Sequence, residues 1–96
     1  MEISEFQKLI KEIYFQRDKE REVNSTFIWL VEEVGELARI LRKNKIEKTK
    51  AKDELADIIA WTCSLANLLG IDLENALMKK YPKKCIKCES NPCKCY

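Results

Sequence analysis

Glu33 and Glu36 stand three residues apart in Glu32-Glu33-Val34-Gly35-Glu36-Leu37, and Glu54 and Asp57 stand three apart in Asp53-Glu54-Leu55-Ala56-Asp57. Residues three apart on a helix are neighbours on one face, so each segment offers two side-by-side carboxylates, and two such helices face to face would offer four. Converging carboxylates repel one another and are costly to desolvate without positive charge between them. A hard divalent cation is their natural partner. The chain has no His, which excludes the Glu-x-x-His pairs of di-iron carboxylate bundles and argues against catalytic zinc. An all-oxygen donor set suits Mg²⁺, with Mn²⁺ as the second choice. Mg²⁺ commonly joins protein carboxylates to substrate phosphates, so the expected chemistry is hydrolysis at phosphorus by a metal-held water. Taken singly, each carboxylate also fits a solvated surface charge. Against that, Glu33 has no basic residue within helical reach and Glu36 has only Arg39.

The elements that position these residues read as four helices, at about 4–22, 25–43, 50–69 and 73–81. Ser4 and Gln7 form a candidate capping box, and Phe6, Leu9, Ile10 and Ile13 follow helical spacing. The charged run Asp18-Lys19-Glu20-Arg21-Glu22 reads as solvated. Asn24-Ser25-Thr26 supplies N-cap residues for the second helix. There Phe27, Leu30, Val34, Leu37, Ala38 and Leu41 make one broad apolar face, and Glu33 and Glu36 lie on its flank in line with Trp29 and Ile40. Thr49 is a candidate cap for the third helix, and Gly70 a natural stop. That helix is apolar nearly all round from Leu55 to Leu69, which implies burial on several sides, in a bundle centre or at a subunit interface. Glu54 and Asp57 head its line through Ile58, Trp61, Leu65 and Leu68. The tryptophans on both lines suit core packing first and base stacking second. Asp72 caps the last helix and Pro82 ends it. The fold class expected is all-α, an antiparallel four-helix-bundle-like domain over 1–82 with a separate tail over 83–96.

Composition sets the frame. The chain has 96 residues, 46% of them hydrophobic and 35% charged, with two Gly and two Pro. This suits one small helical domain. Its net charge of +2 is too small to argue for nucleic acid. The polar, acidic start Met1-Glu2-Ile3-Ser4 carries no secretory leader signal, and no apolar run reaches the roughly 18 to 20 residues of a membrane span. The reading is a cytoplasmic protein with no membrane partner.

The tail carries Cys85, Cys88, Cys93 and Cys95 in the spacing C-x₂-C-x₄-C-x-C. In a cytosolic chain this suggests a tetrathiolate Zn²⁺ knuckle. Two disulfides or free thiols are the alternatives. Cys63, alone within the third helix, reads as a small core hydrophobe.

The two carboxylate segments together resemble the EExxE…ExxD signature of MazG-type nucleotide pyrophosphohydrolases, in the all-α NTP pyrophosphatase group. The resemblance extends over roughly residues 25 to 77 and includes the turn and helix Gly-Ile-Asp-Leu-Glu-Asn-Ala-Leu at 70–77. It implies Mg²⁺-dependent hydrolysis of a nucleoside triphosphate to the monophosphate and pyrophosphate, as house-cleaning of the nucleotide pool. It implies metal ligation by Glu33, Glu36, Glu54 and Asp57, with Glu32 as an accessory ligand or the positioner of the attacking water. It also implies a homodimer or homotetramer with sites near subunit contacts. One departure stands out. Many members carry a Lys and an Asn after the fourth helix, whereas this chain has Met78-Lys79-Lys80-Tyr81-Pro82. Lys79 and Lys80 are candidate phosphate contacts, and a solvated basic helix end is an equal alternative. The competing functions are a non-enzymatic nucleic-acid or protein-binding module acting through the Lys- and Cys-rich tail, and a catalytically idle nucleotide sensor.

Overall fold

Helical periodicity with few breakers becomes three helices among the described residues: α1 (Ile3–Leu41), α2 (Lys48–Leu69) and α3 (Leu73–Lys80), with no strand. This computed structural model describes residues 1–95, so Tyr96, the last residue of the expected tail, lies outside it.

The first two helices expected from the sequence are joined end to end in α1 across a kink. The break falls at Glu22, where the first of them was expected to end, with a non-helical φ of 68° and ψ of 170°, and the helix resumes ahead of Asn24-Ser25-Thr26 rather than on it. Thr26 does not cap a new helix. Its hydroxyl donates to the Glu22 carbonyl at 2.7 Å, one turn back, a bond that lets Thr sit inside a helix. The expected four-helix bundle is therefore an all-helical fold of three helices with a broken first member.

The ends follow local chemistry, with small displacements. α1 begins at Ile3, and the Glu5 carboxylate accepts from the Glu2 N–H at 3.3 Å in place of the expected Ser4–Gln7 box. α2 begins at Lys48 after Glu47, ahead of Thr49. It closes on Gly70 at φ 67°, a left-handed conformation that glycine adopts without steric cost. Asp72 caps α3 by accepting from the Asn75 N–H at 3.1 Å. α3 gives way to Tyr81, and Pro82 bars its continuation.

Gln7 ties these parts together. Its amide donates to Asn67 Oδ1 at 3.0 Å and to the Ile71 carbonyl at 2.7 Å, and accepts from the Leu73 N–H at 3.0 Å. Asn67 Nδ2 donates back to the Gln7 carbonyl at 3.3 Å. One side chain thus holds the first turns of α1 against the α2–α3 corner and satisfies an N–H that the start of α3 leaves open.

The second half of α1 and α2 run antiparallel, because Trp29 lies on Trp61 while Glu33, one turn further on, meets Asp57, one turn earlier. Cys63, Ser64 and Ala66 are the buried residues of α2, and their small size lets α1 approach closely. Among the described residues the buried apolar side chains are few: Ile10, Cys63 and Ala66. Phe27, Ile28, Val31 and Val34 of α1 stay exposed, as do Leu55, Ile59 and Leu69 of α2. The burial of α2 on several sides is therefore not completed within one chain. No single helix among the described residues is long and apolar enough to cross a membrane.

Candidate metal centre and adjoining pocket

The i,i+3 spacing on α2 places Glu54 and Asp57 on the line that faces α1, and Glu33 meets them from the flank of the α1 apolar face. One carboxylate oxygen from each of Glu33, Glu54 and Asp57 lies within 4.8 Å of the others. Glu33 and Glu54 are half-buried, and Asp57 is exposed. Partial burial, followed by side-chain hydrogen bonding to Asp57 and Glu54 and by their negative charge, pushes the Glu33 carboxyl up to about 7. Glu54 Oε2 is buried with no hydrogen-bond donor. An orphaned carboxylate oxygen, a cluster of like charges and a glutamate that resists ionisation are all relieved by one divalent cation. The residues present therefore fit such an ion. Glu36, one turn beyond Glu33, is not drawn into this trio: it accepts from Arg39 Nη2 at 2.7 Å. Glu32 is exposed on the neighbouring side of α1.

Glu33 and Asp57 also belong to a cavity of about 310 Å³ that opens beside the trio. Its aromatic wall is Tyr14, Trp29 and Trp61, and its charged wall is Arg17, Asp18 and Arg21. Trp29 and Trp61 are parallel, with centroids 5.9 Å apart and 7° between their planes. The Arg21 guanidinium lies 4.9 Å from the Trp61 ring centre, within cation–π range. Core packing does not absorb Trp29, which keeps 46% of its surface, whereas Trp61 is half-buried. Asp18 is 1% exposed, which overturns its reading as solvated. Its Oδ1 accepts from Arg21 at 2.9 Å, while Oδ2 is buried and has no partner. Sequence reasoning missed Asp18, Arg17 and Arg21 because they sit in a charged run. The signal was there in spacing: Ile10, Tyr14, Arg17, Asp18 and Arg21 continue one helical line.

The sequence pattern of the MazG nucleotide pyrophosphohydrolase domain matches residues 21–88. The chain belongs to the MazG family. Comparison with curated proteins returns no significant match. The MazG span opens at Arg21, beside the break in α1, and takes in Glu32, Glu33, Glu36, Glu54 and Asp57. Tyr14, Arg17 and Asp18 line the cavity from outside the MazG span.

Lys79 and Lys80 occupy the last turn of α3 and are exposed. They line a shallow depression with Lys84 and Lys87, and do not line the cavity that Glu33 and Asp57 share. Cys85, Cys88, Cys93 and Cys95 form a second cluster, again with sulfur atoms within 4.8 Å of one another. Backbone N–H groups directed at sulfur, those of Lys94 and Ser90, hold the Cys88 thiol down at about 6. Hydrogen bonding from the neighbouring thiols, Cys93 first, pushes Cys95 up to about 11. Cys63 is buried between α1 and α2, apart from this cluster, and burial pushes its thiol up.

Proposed function

We propose that this MazG chain is a Mg²⁺-dependent nucleoside triphosphate pyrophosphohydrolase that converts a (d)NTP and water to the monophosphate and pyrophosphate, clearing the nucleotide pool of the cytoplasm. One observation carries the reading. Glu33 and Asp57 are shared between the carboxylate trio and a cavity walled by aromatic rings and arginines. A triphosphate at the trio thereby has its base and sugar directed into that cavity.

Glu33, Glu54 and Asp57 hold the cation in this reading, and Glu36 joins them on leaving Arg39. Mg²⁺ supplies, when bound, Lewis-acid polarisation of phosphate oxygens and a more acidic water. Mn²⁺ suits the same oxygens. Glu32, next to the trio and open to solvent, positions the attacking water or serves as an accessory ligand. Arg17 and Arg21 bring positive charge to the phosphates from the opposite wall. Trp29 offers a ring face to the base, backed by Trp61, which is itself stacked on Trp29 and covered by Arg21, and the unpartnered Asp18 Oδ2 accepts from an N–H on it. Lys79 and Lys80 add positive potential at longer range.

The same reading takes the working unit to be a homodimer or homotetramer. It is supported by the apolar strip of Phe27, Ile28, Val31 and Val34 and by the bare flank of α2 at Leu55 and Ile59. Contiguous exposed apolar surface of this kind marks interaction sites. Light scattering coupled to gel filtration checks this, and a monomer at micromolar concentration would count against it.

The reaction is tested by pyrophosphate release from a panel of standard and modified (d)NTPs, with Mg²⁺ and with chelator, comparing the natural chain with Asp57→Ala. The expected result is metal-dependent release that the variant loses while its helical circular dichroism persists. Less than about tenfold loss would overturn the assignment of the trio, and no release from any nucleotide would overturn the enzyme reading.

A further inference from the structure

We propose that Cys85, Cys88, Cys93 and Cys95 form a tetrathiolate site for one Zn²⁺ that fixes the C-terminal tail, separate from the carboxylate centre.

The tail has no apolar core to order it. No residue from 81 to 95 is buried, and none lies in a helix or strand. A segment that encloses no apolar surface needs a cross-link or a metal to hold one shape. It nonetheless adopts a defined turn. The Glu89 N–H donates to the Cys85 carbonyl and the Cys85 N–H to the Ser90 carbonyl, each at 2.9 Å. Glu89, immediately after Cys88, takes a left-handed φ of 57°. That conformation folds the chain back so that Cys93 and Cys95 return to face Cys85 and Cys88.

The sulfur geometry discriminates among the ways to use four thiols. All four Sγ atoms share one locus. The Cys85 and Cys95 sulfurs are 3.7 Å apart. A tetrahedron of sulfurs at the Zn–S distance of about 2.3 Å has an edge of about 3.8 Å, whereas a disulfide needs about 2.0 Å. The one close edge therefore matches a zinc thiolate cage, and the other sulfurs lie within 4.8 Å of one another, near enough to close it. The surroundings suit its charge as well. The Lys94 N–H donates to Cys88 Sγ and the Cys95 N–H to Cys93 Sγ, each at 3.3 Å, and N–H donors of this kind stabilise ligand thiolates. Binding releases the thiol protons and leaves four thiolates around one Zn²⁺, an excess of negative charge in a segment that also carries Lys83, Lys84, Lys87 and Lys94. Tetrahedral thiolate coordination favours zinc, and iron is its competitor.

The test uses the full chain purified with reductant and without chelator. Elemental analysis is expected to give one zinc per chain. Replacement by Co²⁺ is expected to give the visible bands and sulfur-to-cobalt charge transfer of a tetrahedral thiolate. Cys88→Ser combined with Cys95→Ser should lose both the stoichiometric zinc and the cobalt bands, whereas Cys63→Ser should keep them. The proposal is overturned by a reduced chain that takes up no zinc at equimolar metal, by iron in its place, or by a mass lower by four hydrogens, which identifies two disulfides. None of these readouts depends on turnover, so they stand whether or not the chain hydrolyses nucleotides.

Discussion

Arg39 donates to Glu36 at 2.7 Å, one helical turn beyond Glu33 on the same line of α1. Both side chains are well exposed, at 63% and 49%, and exposed pairs of this type contribute about 0–1 kcal/mol. The arginine parks Glu36 without binding it firmly, so a cation held by Glu33, Glu54 and Asp57 can draw it away. Glu36→Ala is therefore expected to lower Mg²⁺-dependent turnover at least tenfold, and Arg39→Ala to change it less than threefold. Steady-state rates over a Mg²⁺ titration check both. Equal losses in the two variants would show that Glu36 does not act as a ligand released from Arg39.

The raised Glu33 carboxyl makes the metal-free protein sensitive to pH. Its folded value is about 7 against an ordinary 4.5, so the folded state holds this proton more tightly than the unfolded state does. Its contribution to stability is complete below pH 4.5 and is lost as pH rises through 7. Thermal melts without metal should therefore show a midpoint that falls between pH 5 and pH 8. In Glu33→Gln that part of the slope should vanish, and added Mg²⁺ should stabilise the natural chain more at the upper end of the range. A slope identical in Glu33→Gln would remove Glu33 as its source.

Asp18 lines the cavity and carries a buried acceptor, Oδ2, with nothing to accept from. If a base N–H fills that role, Asp18→Asn should weaken nucleotide binding roughly tenfold, the scale of one lost hydrogen bond to a charged group, while helicity is preserved. Quenching of Trp29 and Trp61 fluorescence by nucleotide reads the affinity directly. The loss should differ between bases that do and do not present an N–H donor. A uniform loss across all bases would assign Asp18 to holding Arg21 in place rather than to recognition.

Glu22 holds a conformation that glycine tolerates and other residues do not, with φ 68° and ψ 170°. Such backbone costs about 1–3 kcal/mol in a non-glycine residue, and glycine gives back part of that gain through its freer unfolded chain. Glu22→Gly should therefore stabilise the fold by about 1 kcal/mol. Chemical denaturation measures the change, and a loss of stability would show that the Glu22 side chain contributes more than its strained backbone costs.

What could be read from the sequence divides along a physical line. Gly70 and Asp72 announced the α2–α3 turn because a left-handed stop and an N-cap are local requirements, met by local chemistry. Glu33, Glu54 and Asp57 could be placed on facing lines because helical geometry converts spacing into direction, whereas the pairing of Glu36 with Arg39 is a choice of side-chain rotamer that spacing does not fix. The end of the first helical stretch at Glu22 was legible, because the apolar periodicity stops in the charged run before it. The restart was read slightly late because Asn24-Ser25-Thr26 carries cap chemistry, whereas Thr26 already lies inside the resumed helix and bonds back to Glu22. Asp18 was hidden for another reason. A charged run reads as solvated by composition, and only its place one turn beyond Tyr14 reveals that it points inward. The apolar girth of α2 was visible, and among the described residues Leu55 and Ile59 stay exposed.

That uncovered girth bears on how this protein behaves at low abundance. With Ile10, Cys63 and Ala66 the only apolar side chains buried among the described residues, a solitary chain has little interior to fold around. In the proposed assembly, each copy completes the other's interior, and the free energy of folding acquires a term in the logarithm of protein concentration. Dilution then acts as a mild denaturant, and the melting temperature becomes a property of the sample's molarity as much as of its sequence.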